Sequence, residues 1–403
     1  MDQPQYTTLL EAFTVITDPR RARGQRYAWL LLLTLAALAL ASGQRTVHAL
    51  ADWVALHWDE LSTQLQPERP TCPSEPTFRR LLRSISPQQL EAVLGQLEIP
   101  PAAALPAVPS GEAVAVASLP APSPAAPPPL QAQAVDGKAL RGARAQGAQV
   151  HLVSLVRHAD AVTEAQTAVA EKSNEITAVP TLLEGRDLSG TVTTMDALLT
   201  QRTLAQQIRR QGGDYLMVVK ANQPTLYQAI ELLFARPPWT QQERAAEYEV
   251  YRTPAQKGHG RIEHRTLECS TSLCEYLDWP AVGQVLRRTC RRRICKTGVV
   301  SEEVTYGITS LTQAQATAQQ LEALWRGHWT IENRVHYVRD VTLGEDACQV
   351  HVGNAPRVLA ALRDAILNLI RGCGWENVSD AVRYYGAKVV HALGLISSPP
   401  TRL

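Results

Sequence analysis

The sequence has little net charge, few cysteines and no apolar run long enough to cross a bilayer, and each shortage excludes a class of protein. Its 403 residues carry a formal net charge of only +2, so a nucleic-acid surface would have to come from local clusters of basic residues. The apolar run 28–41 is shorter than the ~20 residues that span a membrane, which favours a buried helix. Residues 1–5 show no secretory signal, so a cytoplasmic location without a membrane partner is expected.

The seven cysteines are an odd number, which fits a reduced, cytosolic chain better than a disulfide framework. Two pairs, Cys269 with Cys274 and Cys290 with Cys295, each have four residues between their members. That spacing lies at the edge of the range that zinc sites use. Buried or idle thiols are therefore the default interpretation, and structural zinc stays open as the alternative.

Proline and alanine dominate residues 100–130, which marks the clearest boundary in the chain. This composition favours extended geometry and cannot build a core, so the segment is predicted to be a linker. Residues 1–99 carry apolar residues at helical spacing and are expected to form a small all-α domain. Residues 131–375 mix β-prone and helical runs, which predicts an α/β domain with a mixed sheet. Within it residues 245–310 return to β character, and residues 376–403 are interpreted as a C-terminal tail.

Two aspartates directly follow β-prone runs. Asp136 stands in the segment AVDGKALRGA and Asp196 in the segment TVTTMDALLT. Hard cations such as Mg2+ take oxygen ligands, and a two-metal site needs carboxylates from more than one element. The two aspartates are therefore a candidate metal site at the ends of two strands. Each one alone has an ordinary alternative, since Asp is common at strand ends and at helix N-termini.

A third acid, Glu332, lies in a segment whose apolar residues predict a partly buried helix. A buried glutamate is costly unless it is paired or bound to a metal. His328 and His336 lie four residues to either side of it, on the same helical face. The alternative is a surface stripe in which Glu332 pairs with Arg339. Nearby acids that compete for the role of third ligand are Asp340, Glu345 and Asp346.

Basic residues cluster in residues 287–296, where six of ten positions are cationic. The cluster comprises Arg287, Arg288, Arg291, Arg292, Arg293 and Lys296. It is interpreted as a contact to the DNA backbone, with a solubilising edge hairpin as the alternative. The arginine-rich residues 18–26 are either a solvated loop or a phosphate-contacting turn. Lys138 and Arg141 closely follow Asp136, and positive charge beside a carboxylate metal site suits a polyanionic substrate.

Four segments together carry a resemblance to a known family. They read VDGKALRGA, TTMDALLTQ, YLMVVKANQPTL and HWTIENRVHYVRDVTLGEDA. In order and spacing they resemble segments of bacterial insertion-sequence DDE transposases, and most closely the ISAs-type family, which includes the H-repeat-associated proteins. The N-terminal part resembles that family's associated domain through DPRRARGQRY and PSEPTFRRLL. The resemblance covers nearly the whole chain apart from the linker.

The resemblance implies a ribonuclease-H-like catalytic domain with a mostly β insertion at about 240–310. Asp136 would be the first-strand acid, Asp196 the fourth-strand acid and Glu332 the helical acid. Together they would hold two Mg2+ ions, with Mn2+ as a substitute. The implied partner is double-stranded DNA, as the element's terminal inverted repeats and as target DNA, on which the chain would assemble as a homo-oligomer. The expected location is the bacterial cytoplasm, at the nucleoid when bound to DNA.

The wider group often carries Tyr, Arg, Glu and Lys around the third acid. The matching positions here are Trp325, His328, Glu332 and Arg339. His328 and Arg339 are therefore expected to contact DNA, whereas Trp325 and Trp329 are expected in the core rather than on DNA bases. The implied activity is cleavage of insertion-sequence ends and their joining to target DNA. The alternatives are a domesticated nuclease without strand transfer and a catalytically silent DNA-binding relic.

Overall fold

The structure is a computed structural model that describes residues 5–21, 25–100, 130–145, 148–170, 173–236 and 247–400. Most of the predicted linker, residues 101–129, lies outside the described residues. So do residues 22–24 of the arginine-rich N-terminal segment.

The chain up to residue 100 is helical where it has regular structure. Its helices are α1 (Leu9–Thr14), α2 (Trp29–Ala41), α3 (Val47–Leu56), α4 (Trp58–Leu65), α5 (Glu75–Ser84) and α6 (Pro87–Leu94). Thr8, Thr46 and Ser86 start α1, α3 and α6 by accepting hydrogen bonds from first-turn N–H groups. α2 is apolar on all sides and almost fully buried, as a core helix must be. No described helix is long and apolar enough to cross a membrane.

The rest of the chain supplies one large mixed sheet. Its strands are β1 (Gln131–Ala145), β2 (Ala148–Arg157), β3 (Thr163–Ala168), β4 (Thr191–Met195), β5 (Asp214–Val219), β6 (Tyr248–Arg252), β7 (Gln256–Gly258), β8 (Arg261–Ser270), β9 (Gln284–Ile294) and β10 (Val300–Thr309). Their order is β3-β2-β1-β4-β5-β10-β9-β8-β6, with β7 paired to β8. β4 is parallel to β1 and β5, whereas β2 with β3 and the neighbours from β5 through β10 to β6 are antiparallel.

Further helices follow or separate these strands. They are α7 (Glu175–Leu183), α8 (Arg202–Arg210), α9 (Pro224–Ala235), α10 (Ala318–Gly327), α11 (Ala355–Gly372), α12 (Val378–Ala387) and α13 (Val389–Ser397). Two consecutive stretches, Ile331–His336 and Val338–Thr342, have π-helical hydrogen bonding. These two stretches are named the π-helical segment below.

The described residues fall into two compact units. The helical unit spans Met1–Leu119, Gly137–Asn174 and Thr330–Leu403, and the sheet unit spans Pro120–Asp136 and Glu175–Trp329, in each case where residues are described. The division passes through β1 itself. The helical unit is centred on α11, which is buried along nearly its whole length and packs against α2, α5, α6, α12 and β3. In the sheet unit, a buried cluster that includes Val192, Leu216, Leu267, Leu286 and Trp325 joins the strands to α10.

The predicted fold class is confirmed: the N-terminal region is all-helical, and the larger remainder is α/β with the strand order of a ribonuclease-H-like sheet, lengthened by β6–β10. Those added strands lie between residues 248 and 309. β1 is longer than expected and passes through Asp136, because its first residues pair with β4 and its later residues with β2. Residues 376–403, interpreted as a tail, contain α12 and α13, and α13 packs against α2.

Candidate active site

Two of the three predicted acids come directly after the paired residues of the neighbouring parallel strands β1 and β4. The pairing of β1 with β4 ends at Val135 and Met195, and Asp136 and Asp196 are the next residue on each side. Residues at matched positions of adjacent parallel strands project from the same face of a sheet. Both aspartates are half-buried, and the register places these two acids at matching positions of the two chains.

Asp196 belongs to the turn that follows β4. Its Oδ1 atom accepts a hydrogen bond from the backbone N–H of Leu199 at 3.0 Å, and its carbonyl oxygen accepts one from the hydroxyl of Thr200 at 2.9 Å. The alternative that Asp196 simply caps the next helix does not hold, because α8 has Gln201 as its N-cap residue. The carboxylate is therefore held by a turn and keeps its second oxygen for other partners.

Glu332 lies in the first stretch of the π-helical segment. Its Oε2 atom is 3.1 Å from Nδ1 of His336, which is buried, while the Glu332 side chain is 52% exposed. The hydrogen bond from His336, together with the nearby charge of Lys138, lowers the pKa of Glu332 against the opposing effect of burial. Burial lowers the pKa of His336. Glu332 is thus an ionised carboxylate beside a largely neutral imidazole at neutral pH.

Within the described residues, one set of His, Cys, Asp and Glu side chains could hold a metal ion. It consists of Asp136, Glu332 and His336, whose ligand atoms all lie within 4.8 Å of one another. Two carboxylates and an imidazole suit a divalent cation and would leave coordination positions for water or a phosphate oxygen. The set holds two of the predicted acids and lacks Asp196. His336 was absent from the predicted ligands, although its spacing from Glu332 was the signal that could have added it.

The acids that competed for the third-ligand role are already paired with cations. Asp340 forms an ion pair with Lys138. Asp346 lies 3.8 Å from Nζ of Lys138 and 3.4 Å from Nε of Arg141. Glu345 is buried against Arg339 at 2.8 Å. Among these acids and Glu332, only Glu332 lies in the metal-competent set.

The basic residues predicted near the acids differ in their access to solvent. Lys138 is buried, whereas the Arg141 side chain is 78% exposed. Nδ1 of His328 is 3.1 Å from the hydroxyl of Thr194, on the strand that precedes Asp196. Of these three residues, Arg141 is therefore the one that extends furthest into solvent.

The expectation that Arg339 contacts DNA needs correction. Its side chain is 0% exposed, and its guanidinium is ion-paired with Glu345 and Asp364 inside the helical unit. A phosphate cannot reach a guanidinium that is enclosed by protein on every side. The matching position in the wider family is cationic, and sequence alone could not show that this cation points inward.

The arginines of the β8–β10 hairpins divide into two groups. Arg287, Arg288 and Arg292 are ion-paired with Glu268, Glu322 and Glu263 respectively. Arg291 and Arg293 are exposed, and no ion pair or hydrogen bond of their side chains occurs within the described residues. They lie on one face of β9, opposite His264 and Ile262 of β8. Only part of the predicted cluster is therefore open to a phosphate backbone.

The two tryptophans before Glu332 also differ. Trp325 is buried in the sheet unit, as expected, and its ring packs under Arg288 at 5.8 Å. Trp329 is 57% exposed, so the expectation that it lies in the core is wrong.

Two known family models match this chain. The family model described as "Transposase DDE domain" matches residues 127–369, more than half of the chain. This chain belongs to the transposase DDE domain family. A second model, described as "DDE_Tnp_1-associated", matches residues 10–97 of the same DDE-domain chain. The family that the sequence motifs resembled is therefore confirmed.

Curated proteins from two bacteria are similar in sequence to this DDE-domain protein. In Escherichia coli (strain K12), "Putative protein YbfL" and "H repeat-associated putative transposase YhhI" are each 32% identical over 247 residues, 59% of this chain and 63% of the relative. The chain thus spans less than two thirds of the length of these relatives. In Xanthobacter autotrophicus, "Uncharacterized protein in dhlA 3'region" is 30% identical over 306 residues, 74% of this chain and 93% of that protein.

One solved structure has a distant overall likeness to this DDE-domain chain. It is titled "Cryo-EM structure of piggyBac transposase synaptic complex with hairpin DNA (SNHP)". The likeness covers 98% of this chain and 78% of the other, at 9% identity and a TM-score of 0.44.

Proposed function

We propose that this DDE-domain chain is a DNA transposase that cleaves insertion-sequence ends and joins them to target DNA by metal-dependent phosphoryl transfer. The observation that carries the proposal is the set of Asp136, Glu332 and His336, whose ligand atoms suit a divalent ion, in a chain of this family. The register of β1 with β4 supports Asp196 as the neighbouring carboxylate.

In this proposal Asp136, Glu332 and His336 would hold one divalent ion, and Asp196 would help Asp136 to hold a second. Mg2+, or Mn2+ in its place, would supply Lewis acidity at the scissile phosphate and lower the pKa of a bound water. Glu332 contributes a charged ligand, because the hydrogen bond with His336 keeps its pKa low. His336 contributes a neutral imidazole, because burial disfavours its charged form.

The proposed reaction has two displacements at phosphorus. First, a water oxygen bonds to the phosphorus at the element end as the bond from phosphorus to the 3′ oxygen breaks, which leaves a free 3′-hydroxyl. That hydroxyl oxygen then bonds to a phosphorus of target DNA as the target's own 3′ oxygen leaves. The protein's contribution is to hold the reacting groups in line and to stabilise charge on the phosphate oxygens.

DNA contact is proposed for the exposed cations of the chain. Arg291 and Arg293 on β9 are exposed without ion pairs within the described part of the chain, and Arg141 is close to the acids in sequence. Such side chains bind phosphates without reading the base sequence. The proposed substrates are the element's terminal repeats and target DNA, bound by a homo-oligomer in the bacterial cytoplasm.

The test is strand transfer with a pre-cut end. A labelled duplex with a free 3′-hydroxyl at the element boundary is incubated with a target plasmid and Mg2+. We expect joined product with the wild type and a loss of at least ~1,000-fold with Asp136→Asn or Asp196→Asn, since each removes a charged ligand that a positioned site requires. Asp187→Asn, at an exposed aspartate of the sheet unit, is the matched control and should join normally.

The other outcomes identify the alternatives. Cleavage of an uncut duplex without any joining would favour a domesticated nuclease. DNA binding by the folded wild type without cleavage or joining would favour a silent relic. Normal joining by Asp196→Asn would remove that residue from the proposed site.

A further inference from the structure

Arg339 lies in the second stretch of the π-helical segment, and its guanidinium is enclosed by acceptors. Nε donates to Oε2 of Glu345 and Nη2 donates to Oε1 of the same carboxylate, both at 2.8 Å. Nη1 donates to Oε1 of Gln166 at 2.9 Å and to Asp364 at 3.0 Å. The two-pronged contact with Glu345 fixes the plane of the guanidinium, which a lysine could not do.

These acceptors come from different parts of the helical unit. Gln166 is on β3, Asp364 is on the buried helix α11, and Glu345 follows the π-helical segment itself. The backbone N–H of Glu345 also donates to the carbonyl of Arg339 at 2.9 Å. One buried side chain therefore connects the π-helical segment to a strand and to the central helix.

A second contact ties the same segment to α11. Arg371, near the end of α11, donates to the backbone carbonyl of Arg334 and to that of Asp160, the latter at 3.2 Å. Arg334 lies in the stretch that carries Glu332. The π-helical segment is thus attached to α11 at two points, one on each side of His336.

The segment that carries Glu332 and Arg339 has π-helical geometry. π-helices are rare, occur mostly as single turns and are frequent at functional sites. Here the geometry extends over Ile331–His336 and Val338–Thr342. The Glu332 side chain is half-exposed, and His336, which it contacts, belongs to the same stretch. The position of the carboxylate therefore depends on where the backbone of the segment is held.

We propose that Arg339 is a positioning residue for Glu332: its buried ion cluster with Glu345 and Asp364 holds the π-helical segment on α11, so that Glu332 and His336 keep the placement that binds a metal ion. The inference rests on the proposed function through the role of Glu332 as a metal ligand. Arg339 does not touch the substrate in this account, and it acts on the reaction only through the segment that it holds.

The experiment measures Mn2+ binding and DNA cleavage separately in Arg339→Met and Arg339→Lys. We expect Arg339→Met to weaken Mn2+ binding, measured by electron paramagnetic resonance, by about tenfold and to slow cleavage by about 100-fold, because a misplaced ligand loses both affinity and alignment. DNA affinity and its salt dependence should stay within about twofold of wild type, because a buried guanidinium makes no phosphate contact. Arg339→Lys keeps the charge without the two-pronged geometry. Its Mn2+ affinity and cleavage rate should lie between those of wild type and those of Arg339→Met.

A matched control separates positioning from general stability. Arg357 of α11 forms another ion pair with a buried carboxylate of the helical unit, to Glu91 on α6 at 2.7 Å. Arg357→Met should lower thermal stability yet leave Mn2+ affinity unchanged. If Arg339→Met does not fold, the same measurements are made on Arg339→Lys and on the double variant Arg339→Met/Glu345→Gln. The double variant leaves fewer charges unpaired.

Each outcome bears on the inference. Wild-type Mn2+ affinity and cleavage in a folded Arg339→Met would overturn it, and so would equal losses of Mn2+ affinity in Arg339→Met and Arg357→Met. A selective loss of DNA affinity in Arg339→Met would restore the DNA contact in place of positioning. Failure of the proposed function would look different, because wild type would then bind no Mn2+ and Glu332→Gln would change nothing.

Discussion

Arginine is used in opposite ways in the two units. In the helical unit Arg339 is fully buried and paired with Glu345 and Asp364. On β9 of the sheet unit, Arg291 and Arg293 are exposed without an ion pair in the described part of the chain. An inward arginine organises structure, because its charge must be matched before it can be buried. An exposed arginine without an ion-pair partner is available to bind an anionic ligand. The comparison teaches that a count of basic residues does not locate a DNA surface, whereas the distribution of their partners does.

The largest effect should come from breaking the inward pair. Arg339→Met should lower the free energy of unfolding by about 3–5 kcal/mol, because two carboxylates would lose their shared cation in a buried site. Urea denaturation of wild type and variant measures this difference. A change below about 1 kcal/mol, the range of exposed pairs, would contradict the view that the buried Arg339 organises the helical unit.

Arg288 tests whether the sheet unit also has inward arginines. It contacts buried Glu322 at 2.7 Å and stacks over Trp325. Arg288→Met should lower the free energy of unfolding by about 2–3 kcal/mol, since a buried acceptor loses a charged hydrogen bond. DNA affinity, measured by fluorescence anisotropy, should not change. A loss of affinity with intact stability would assign Arg288 to the DNA surface instead.

The outward arginines should show the reverse pattern. Arg291→Glu together with Arg293→Glu should weaken DNA binding by about 10–100-fold. The slope of log K against log salt concentration should fall by the amount that corresponds to about two phosphate contacts. The free energy of unfolding should move by less than about 0.5 kcal/mol, as for most exposed substitutions. Unchanged affinity and salt dependence would mean that this face of β9 does not meet DNA.

A further prediction concerns the pH dependence of stability. Burial, more than the neighbouring Glu345 and against the attraction of Arg339, raises the pKa of Asp364 from 3.8 to about 7. The folded chain then keeps a proton that the unfolded chain releases, so this group lowers the free energy of unfolding as pH rises from about 4 to about 7. Asp364→Asn should remove that contribution. Parallel pH profiles for wild type and variant would show that Asp364 does not titrate in this range.

The sequence predicted the order of elements well because hydrophobic period and motif spacing are local properties. Asp136 and Asp196 were expected after two β-prone runs, and the register of β1 with β4 agrees with that expectation. The length of β1 was missed, because the strand continues beyond its pairing with β4 and also has β2 as a neighbour. The pairing partner of a strand is not encoded in its own period.

The direction of single side chains was harder to predict. Arg339 was assigned to DNA from its matching position in the wider family, and Trp329 was assigned to the core together with Trp325, whereas the chain from Ile331 to Thr342 is largely π-helical. In the structure Arg339 is buried and Trp329 is exposed. His336 was missed as a candidate ligand for a related reason, since its part in the metal-competent set depends on tertiary placement.

The most direct test of the account is metal-dependent cleavage by wild type, Glu332→Gln and the control Glu376→Gln, which changes an exposed glutamate of the same unit. The substrate is a labelled duplex that carries the flanking ends of the gene, with Mg2+ or with EDTA. The account predicts Mg2+-dependent cuts at the element boundary by wild type and by Glu376→Gln, and none by Glu332→Gln. Boundary cleavage that survives in Glu332→Gln, or that persists in EDTA, would contradict the proposed site.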